Sequence, residues 1–200
     1  MFDFCIVPEH DFTSGIPQPN VLLTRGALNR IEYSASETPG KLILVGGPSK
    51  THGWDGEKLL KSLTKISEIG RWTLTDSRRT PTGFIEKVRK HLPQIECFPN
   101  QQTTATWLPE KLQHSDEVWV TEDSVSMVYE ALSSGARIGL LPIPRLTQKS
   151  RTLAGLERLI EDSFLTPFHE WEITRQLCTP PETLREAGRC ADWLSGRLNL

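Results

Sequence analysis

The sequence predicts an α/β fold built on a doubly wound parallel sheet, and three observations carry that prediction. From Lys41 onward, short aliphatic, β-branched and aromatic runs alternate with amphipathic stretches of helical length, the pattern of strands joined by crossover helices. The stretch His114 to Ile143 contains one complete βαβ unit. It has a strand at Glu117 to Thr121, a helix that starts after Asp123 or Ser124 and is closed by Gly135, and a second apolar run from Ile138 to Ile143. Strands joined in this way pair as parallel neighbours, and apolar runs of this kind are buried on both faces. Finally, polar loops rich in Gly, Ser and Arg follow the strands, at the sheet edge where ligands bind in this architecture.

Taken in order, Phe2 to Val7 reads as a strand ending at Pro8, followed by a hinge-like loop through Gly15, Pro17 and Pro19 and a short strand at Val21 to Thr24. Ser34 to Gly40 is small, polar and Pro/Gly-bearing, which marks a linker and a boundary between residues 1–36 and 37–200. An orphan apolar strand at the amino terminus is expected to lie outside the main sheet and to invite pairing with a second copy. Beyond the boundary the regular pattern gives a strand at Leu42 to Val45, a helix from Asp55 to Ile69, and a strand at Arg71 to Thr75. Then come a helix from Pro81 to His91 with Thr80 as its cap, a strand at Ile95 to Phe98, a helix over Ala105 to Gln113, and the βαβ unit. Thr152 to Phe164 has helical amphipathicity. A last helix over Pro181 to Leu198 places Leu184, Ala187, Ala191, Leu194 and Leu198 on one face.

Composition narrows the function. The chain has 200 residues, 37% hydrophobic and 24% charged, with a formal charge of −2, which describes a soluble globular protein with no electrostatic footprint for nucleic acid. The start MFDFCIVPEH lacks the cationic segment and cleavage site of a signal peptide, and no apolar run reaches membrane-spanning length, so a cytoplasmic location is expected. Cys5, Cys97, Cys178 and Cys190 are far apart, with no CxxC, and read as core thiols; no metal site and no cofactor are expected.

Three loops converge on the ligand edge. Gly46 and Gly47, with Ser49 after them, let the backbone approach a ligand closely. Asp76-Ser77-Arg78-Arg79-Thr80-Pro81 carries two guanidiniums suited to phosphate. The third loop opens the central helix, where Asp123, Ser126, Glu130 and Ser133 form one stripe opposite Val125, Val128, Tyr129 and Leu132. A helix starting at the carboxyl end of a parallel strand offers free N–H groups to a phosphate, and Glu130, two turns in, is placed to accept the hydroxyls of a ribose. The next loop, Pro144 to Arg151, carries Arg145, Lys149 and Arg151, again at the ligand edge, and these read most simply as surface charge. There is no Walker A and no GxGxxG.

The run VTEDSVSMVYEALSSG, with GGPSK and TDSRRTP upstream and VPEHD near the start, resembles the family of plant elongated-mitochondria fission proteins and their bacterial relatives. That family is similar to the GT-B glycosyltransferases, whose Rossmann-like carboxy-terminal half holds a nucleotide sugar. The resemblance implies that Glu130 holds the ribose, that Ser124 and Ser126 hold the diphosphate, and that Arg78 faces the phosphates. Gly46, Gly47 and Ser49 would line the opposite wall, and Ser77 and Asp123 belong to the same site. It also implies that the chain begins at the last strand of an amino-terminal half. That half would supply acceptor and catalytic base, so a bound nucleoside diphosphate or nucleotide sugar need not be turned over here.

Two residues depart from the pattern. Arg137 stands where many glycosyltransferases have Pro, and Glu122 brings a carboxylate beside the phosphate position, where a like-charge contact at about 4 Å costs about 4 kcal/mol at an effective dielectric of 20 unless Glu122 points away or a cation intervenes. The competing reading is a non-enzymatic interaction module of the fission-protein type. A nucleotide-sugar epimerase or dehydrogenase is disfavoured, since neither Tyr33 nor Tyr129 is followed four residues later by Lys.

Overall fold

Among the residues described by the computed structural model (2–12, 15–31, 39–147 and 150–198), the strands form two sheets. Strands β1 (Cys5–Pro8) and β2 (Val21–Thr24) pair in parallel, Cys5 opposite Val21 and Pro8 opposite Thr24, apart from the others. The amino-terminal strand thus lies outside the main sheet, as its sequence suggested, and finds its partner within the chain. The main sheet comprises β3 (Gly40–Leu44), β4 (Trp72–Thr75), β5 (Ile95–Phe98), β6 (Ser115–Thr121), β7 (Arg137–Leu141) and β8 (Leu165–Pro167). Its order is β5-β4-β3-β6-β7-β8 and every pairing is parallel. The chain builds outward from β3 to one edge, then begins again beside β3 at β6 and builds to the other. Loops leaving β3 and β6 therefore diverge at a topological switch point, the crevice where open α/β sheets hold ligands.

Alternation along the strands gives each face its own core. Ile43, Val45, Trp72, Leu74 and Trp119 point to the side covered by α1 (Gly56–Ser67), α2 (Phe84–His91) and α6 (Phe168–Thr174). Leu42, Leu44, Val118, Val120, Ile138 and Leu140 point to the side covered by α3 (Trp107–Gln113), α4 (Val125–Ser133) and α5 (Arg151–Glu161). Helices on both faces are what make the strands near-continuously apolar. Trp119 is fully buried with its ring centroid 5.3 Å from Trp171 and 5.7 Å from Phe168. Its parallel partner in register is Gly139, where a Cβ would run into the indole.

Several local expectations change. Thr80 does not cap α2, which starts at Phe84 behind a left-handed Gly83. The Thr80 hydroxyl instead donates to the Gly46 carbonyl at 2.5 Å, with the Val45 carbonyl at 3.1 Å, and accepts from the Ser77 N–H. The last helix, α7, runs Glu186–Leu198, so Leu184 enters the core from the preceding loop while Ala187, Ala191 and Leu198 are exposed. The work of α7 is to tie down the small sheet: Trp193 packs edge-on against Phe4, Arg189 donates to the Leu23 carbonyl, and Arg197 donates to the Pro19 carbonyl. Of the four thiols only Cys190 is buried; burial pushes the half-buried Cys97 thiol up to about 11. The expected boundary at 36/37 lies outside the described residues. No described helix is long and apolar enough to cross a membrane.

Candidate functional site

The three polar loops meet at the switch point, held by direct hydrogen bonds. The Gly46 N–H donates to the Thr121 hydroxyl at 2.7 Å, and the Gly47 N–H donates to Asp123 Oδ2 at 2.9 Å. A Cβ on Gly46 would overlap the Asp123 carboxylate, and one on Gly47 would overlap the Arg79 carbonyl. The glycines are therefore needed for loop to approach loop. Ser49 is half-buried and organises its own turn, its hydroxyl accepting from the Thr51 and His52 N–H groups and its N–H donating to the His52 carbonyl.

Of the two arginines, Arg79 reaches the centre. Its guanidinium lies 2.9 Å from Asp123 Oδ2, donates to the Gly47 carbonyl at 2.9 Å, and comes within 3.5 Å of the Ser124 hydroxyl. Arg78 points away: it is exposed, and with Asp76, Ser77, Thr80 and Asn100 it lines a cleft of about 210 Å³ on the β4–β5 side. Adjacent residues on a turn project in different directions, and sequence alone could not say which would face the helix. The expectation of a single principal cleft among the loops is corrected by the same contacts. A larger cavity, about 360 Å³, lies elsewhere, between Glu9, Arg25, Tyr129, Arg151 and Arg158.

Helix α4 begins at this junction. Ser124 is its N-cap residue, buried, and makes no side-chain cap, so the helix start is not closed by its own hydroxyl. Along the predicted stripe the environment varies: Asp123 and Ser133 are buried, Ser126 is exposed, and Glu130 is half-buried. Ser133 is covered by Asn29, whose amide donates to its hydroxyl at 2.9 Å. Glu130 has no hydrogen bond or ion pair among the described residues, and burial raises its carboxyl above the usual 4.5. Opposite the stripe, Val128, Tyr129 and Leu132 are buried and Val125 is half-buried.

Glu122 is neutralised. Its Oε2 receives two hydrogen bonds from the Arg145 guanidinium, at 2.9 and 2.7 Å, and its Oε1 accepts the Ile143 N–H at 3.1 Å. The like-charge penalty expected beside the phosphate position is thereby answered, and Arg145 is a partner for Glu122, contrary to the reading of surface charge. Arg137 pairs with Asp116 and Glu117 at the far end of β6 and β7, away from the loops. The Gly46 loop is stitched to the Arg145 loop by an antiparallel bridge between His52 and Arg145, by Gly53 N–H to the Pro144 carbonyl, and by Leu146 N–H to the Thr51 carbonyl.

His52, which the sequence did not single out, is buried at this seam with its Nε2 unpartnered among the described residues, and burial lowers its pKa below 6.5. Asp123 Oδ1 is likewise buried here without a hydrogen-bond partner among the described residues. Lys149 lies outside the described residues.

Comparison with known proteins agrees with this topology. The family model described as Mitochondrial fission ELM1 matches residues 1–198. The chain is 27% identical to the Mitochondrial fission protein ELM1 of Arabidopsis thaliana, covering 67% of this chain and 40% of that protein, so it spans about two fifths of the curated relative's length. Among solved structures it is similar to Acinetobacter baumannii MurG (TM-score 0.50, 12% identity, 82% of this chain and 45% of that one). It is also similar to a Listeria monocytogenes protein described as a UDP-N-acetylglucosamine 2-epimerase (TM-score 0.51, 14% identity, 82% and 46%). At these identities the likeness is one of fold, that of a Rossmann-like half of the GT-B type.

Proposed function

The chain belongs to the mitochondrial fission ELM1 family, and from that premise we propose that it binds a nucleoside diphosphate or nucleotide sugar at the start of α4. The observation that carries the reading is Glu130. A half-buried carboxylate without a partner among the described residues has lost part of its hydration and received nothing in return. Two ribose hydroxyls would supply the missing donors. Glu130 lies two turns, about 9 Å of rise, into a helix whose uncapped start faces the switch point, a spacing that suits a ribose joined to a diphosphate.

The diphosphate would rest on the first N–H groups of α4 and the hydroxyls of Ser124 and Ser126. The Gly46, Gly47, Ser49 and Ser77 N–H groups support it only from behind, since each is already donated within the protein. A cytoplasmic location is part of the same reading. A thermal-shift panel of UDP, GDP, dTDP, CMP and their sugars tests the proposal. A ligand at one hundred times its dissociation constant adds about 2.7 kcal/mol, a shift of several degrees for a domain of this size. No shift with any of them would remove the proposal.

A second reading, a non-enzymatic interaction module of the fission-protein type, is favoured by the same internal satisfaction of the loop N–H groups, and a silent panel would leave it standing.

A further inference from the structure

We propose that Arg79 reads the phosphate charge of the ligand, and that Asp123 holds its guanidinium across the start of α4 while the site is empty. The inference rests on the nucleoside-diphosphate reading and, of the two guanidiniums in the loop after β4, assigns to that site the one the family resemblance did not name.

Arg79 touches both walls at once. One nitrogen donates to the Gly47 carbonyl at 2.9 Å and lies 3.4 Å from the Pro48 carbonyl; the other sits 2.9 Å from Asp123 Oδ2 and 3.5 Å from the Ser124 hydroxyl. The two partners differ in freedom. The Arg79 side chain is 41% exposed and the Asp123 side chain 0% exposed, so the cation can turn toward solvent and the anion cannot. Among the described residues Asp123 is also incompletely satisfied, with Oδ2 taking two donors and Oδ1, buried, taking none. A bound hydroxyl or an ordered water carried in with the ligand could donate to that oxygen.

Charge accounting explains the pairing. Arg145 is committed to Glu122 and Glu157, and Arg78 faces the neighbouring cleft, so neither meets the helix start. Arg79 with Asp123 is neutral, leaving the helix start with little more than the partial positive charge of α4. An incoming diphosphate carries more charge than one carboxylate and accepts a guanidinium in a bidentate fashion, so it draws Arg79 from Asp123. Asp123 keeps the Gly47 N–H, and the two loops stay joined.

The test compares UDP with uridine, and GDP with guanosine as a second pair, by calorimetry on the full chain at low salt. For wild type the diphosphate of at least one pair binds more tightly than its nucleoside. Arg79→Gln, which keeps a donor for the Gly47 carbonyl, weakens the diphosphate ten- to a hundred-fold and leaves the nucleoside unchanged. Arg79→Lys restores part of the preference, Arg78→Gln changes it less than about two-fold, and Asp123→Asn tightens the diphosphate by freeing the guanidinium. Equal weakening of diphosphate and nucleoside in Arg79→Gln would mark a structural residue and overturn the proposal. So would a loss of preference in Arg78→Gln instead, or an unchanged preference in Arg79→Gln. A wild-type protein that binds none of the four ligands would take away the nucleotide reading together with this one, an outcome distinct from failure of Arg79 alone.

Discussion

At the scale of single residues, the polar groups around the switch point are held by specific partners, and removing one partner has a cost that can be stated. Arg145→Ala would strand Glu122, whose side chain is 7% exposed, without the guanidinium that neutralises it. Breaking a buried pair costs about 3–5 kcal/mol, and the partial exposure of Arg145 puts the expected loss at about 3 kcal/mol by chemical denaturation. Within this seam His52 adds a pH dependence. Its folded pKa is depressed by burial, so the stability it contributes is complete above the ordinary 6.5 and is lost as pH falls below that value. Melting temperature should therefore decline between pH 7 and pH 5, and His52→Gln should flatten that part of the profile. Little of this was legible beforehand. Arg78 and Arg79 are identical in type and adjacent, Arg145 looked like surface charge, and His52 acquires its burial only when the Gly46 loop closes on the Pro144 carbonyl.

Elements were more legible than residues because periodicity averages over several side chains. The strands at Ile95–Phe98 and Val21–Thr24 fall where their β-branched, aromatic and aliphatic runs put them, and α1 starts behind Asp55, which caps it by accepting the Lys58 N–H. The miss at Thr80 has a physical cause: its hydroxyl is worth more bridging two loops at the sheet edge than capping a helix, and Gly83 makes the turn in its place. Packing between elements supplies a further prediction. Gly139 faces the indole of the fully buried Trp119, where a methyl group finds no free space. Gly139→Ala should cost about 3 kcal/mol, read as an earlier urea midpoint with unchanged slope. Gly188→Ala, where a Cβ meets nothing within 4 Å, should be tolerated or slightly stabilising.

For the whole molecule, alternation of strand and helix was sufficient to indicate a doubly wound sheet, since strands buried on both faces require helices above and below. The separateness of β1 and β2 was legible too, but their mutual pairing and the strap formed by α7 depend on contacts across more than 150 residues, such as Arg189 to Leu23. A two-stranded parallel sheet is small for independent stability and leaves edges that can pair further, so association through this segment is expected. Sedimentation should show a concentration-dependent dimer that is lost when Val7, on β1, is replaced by Pro; a monomer at all concentrations would remove that surface as a contact.

The central claim, that a nucleotide sits with its ribose on Glu130, is tested most directly by calorimetric titration of wild type and Glu130→Gln with the best ligand of the nucleotide panel. Loss of two charge-assisted hydrogen bonds should weaken binding by about 1.5–3 kcal/mol, roughly ten- to a hundred-fold. Stability at neutral pH should hold or rise, because a carboxyl whose folded pKa is raised contributes stability that is lost as pH rises through that value, and Gln carries no such loss. Equal affinity of the two proteins for the nucleotide would contradict the account.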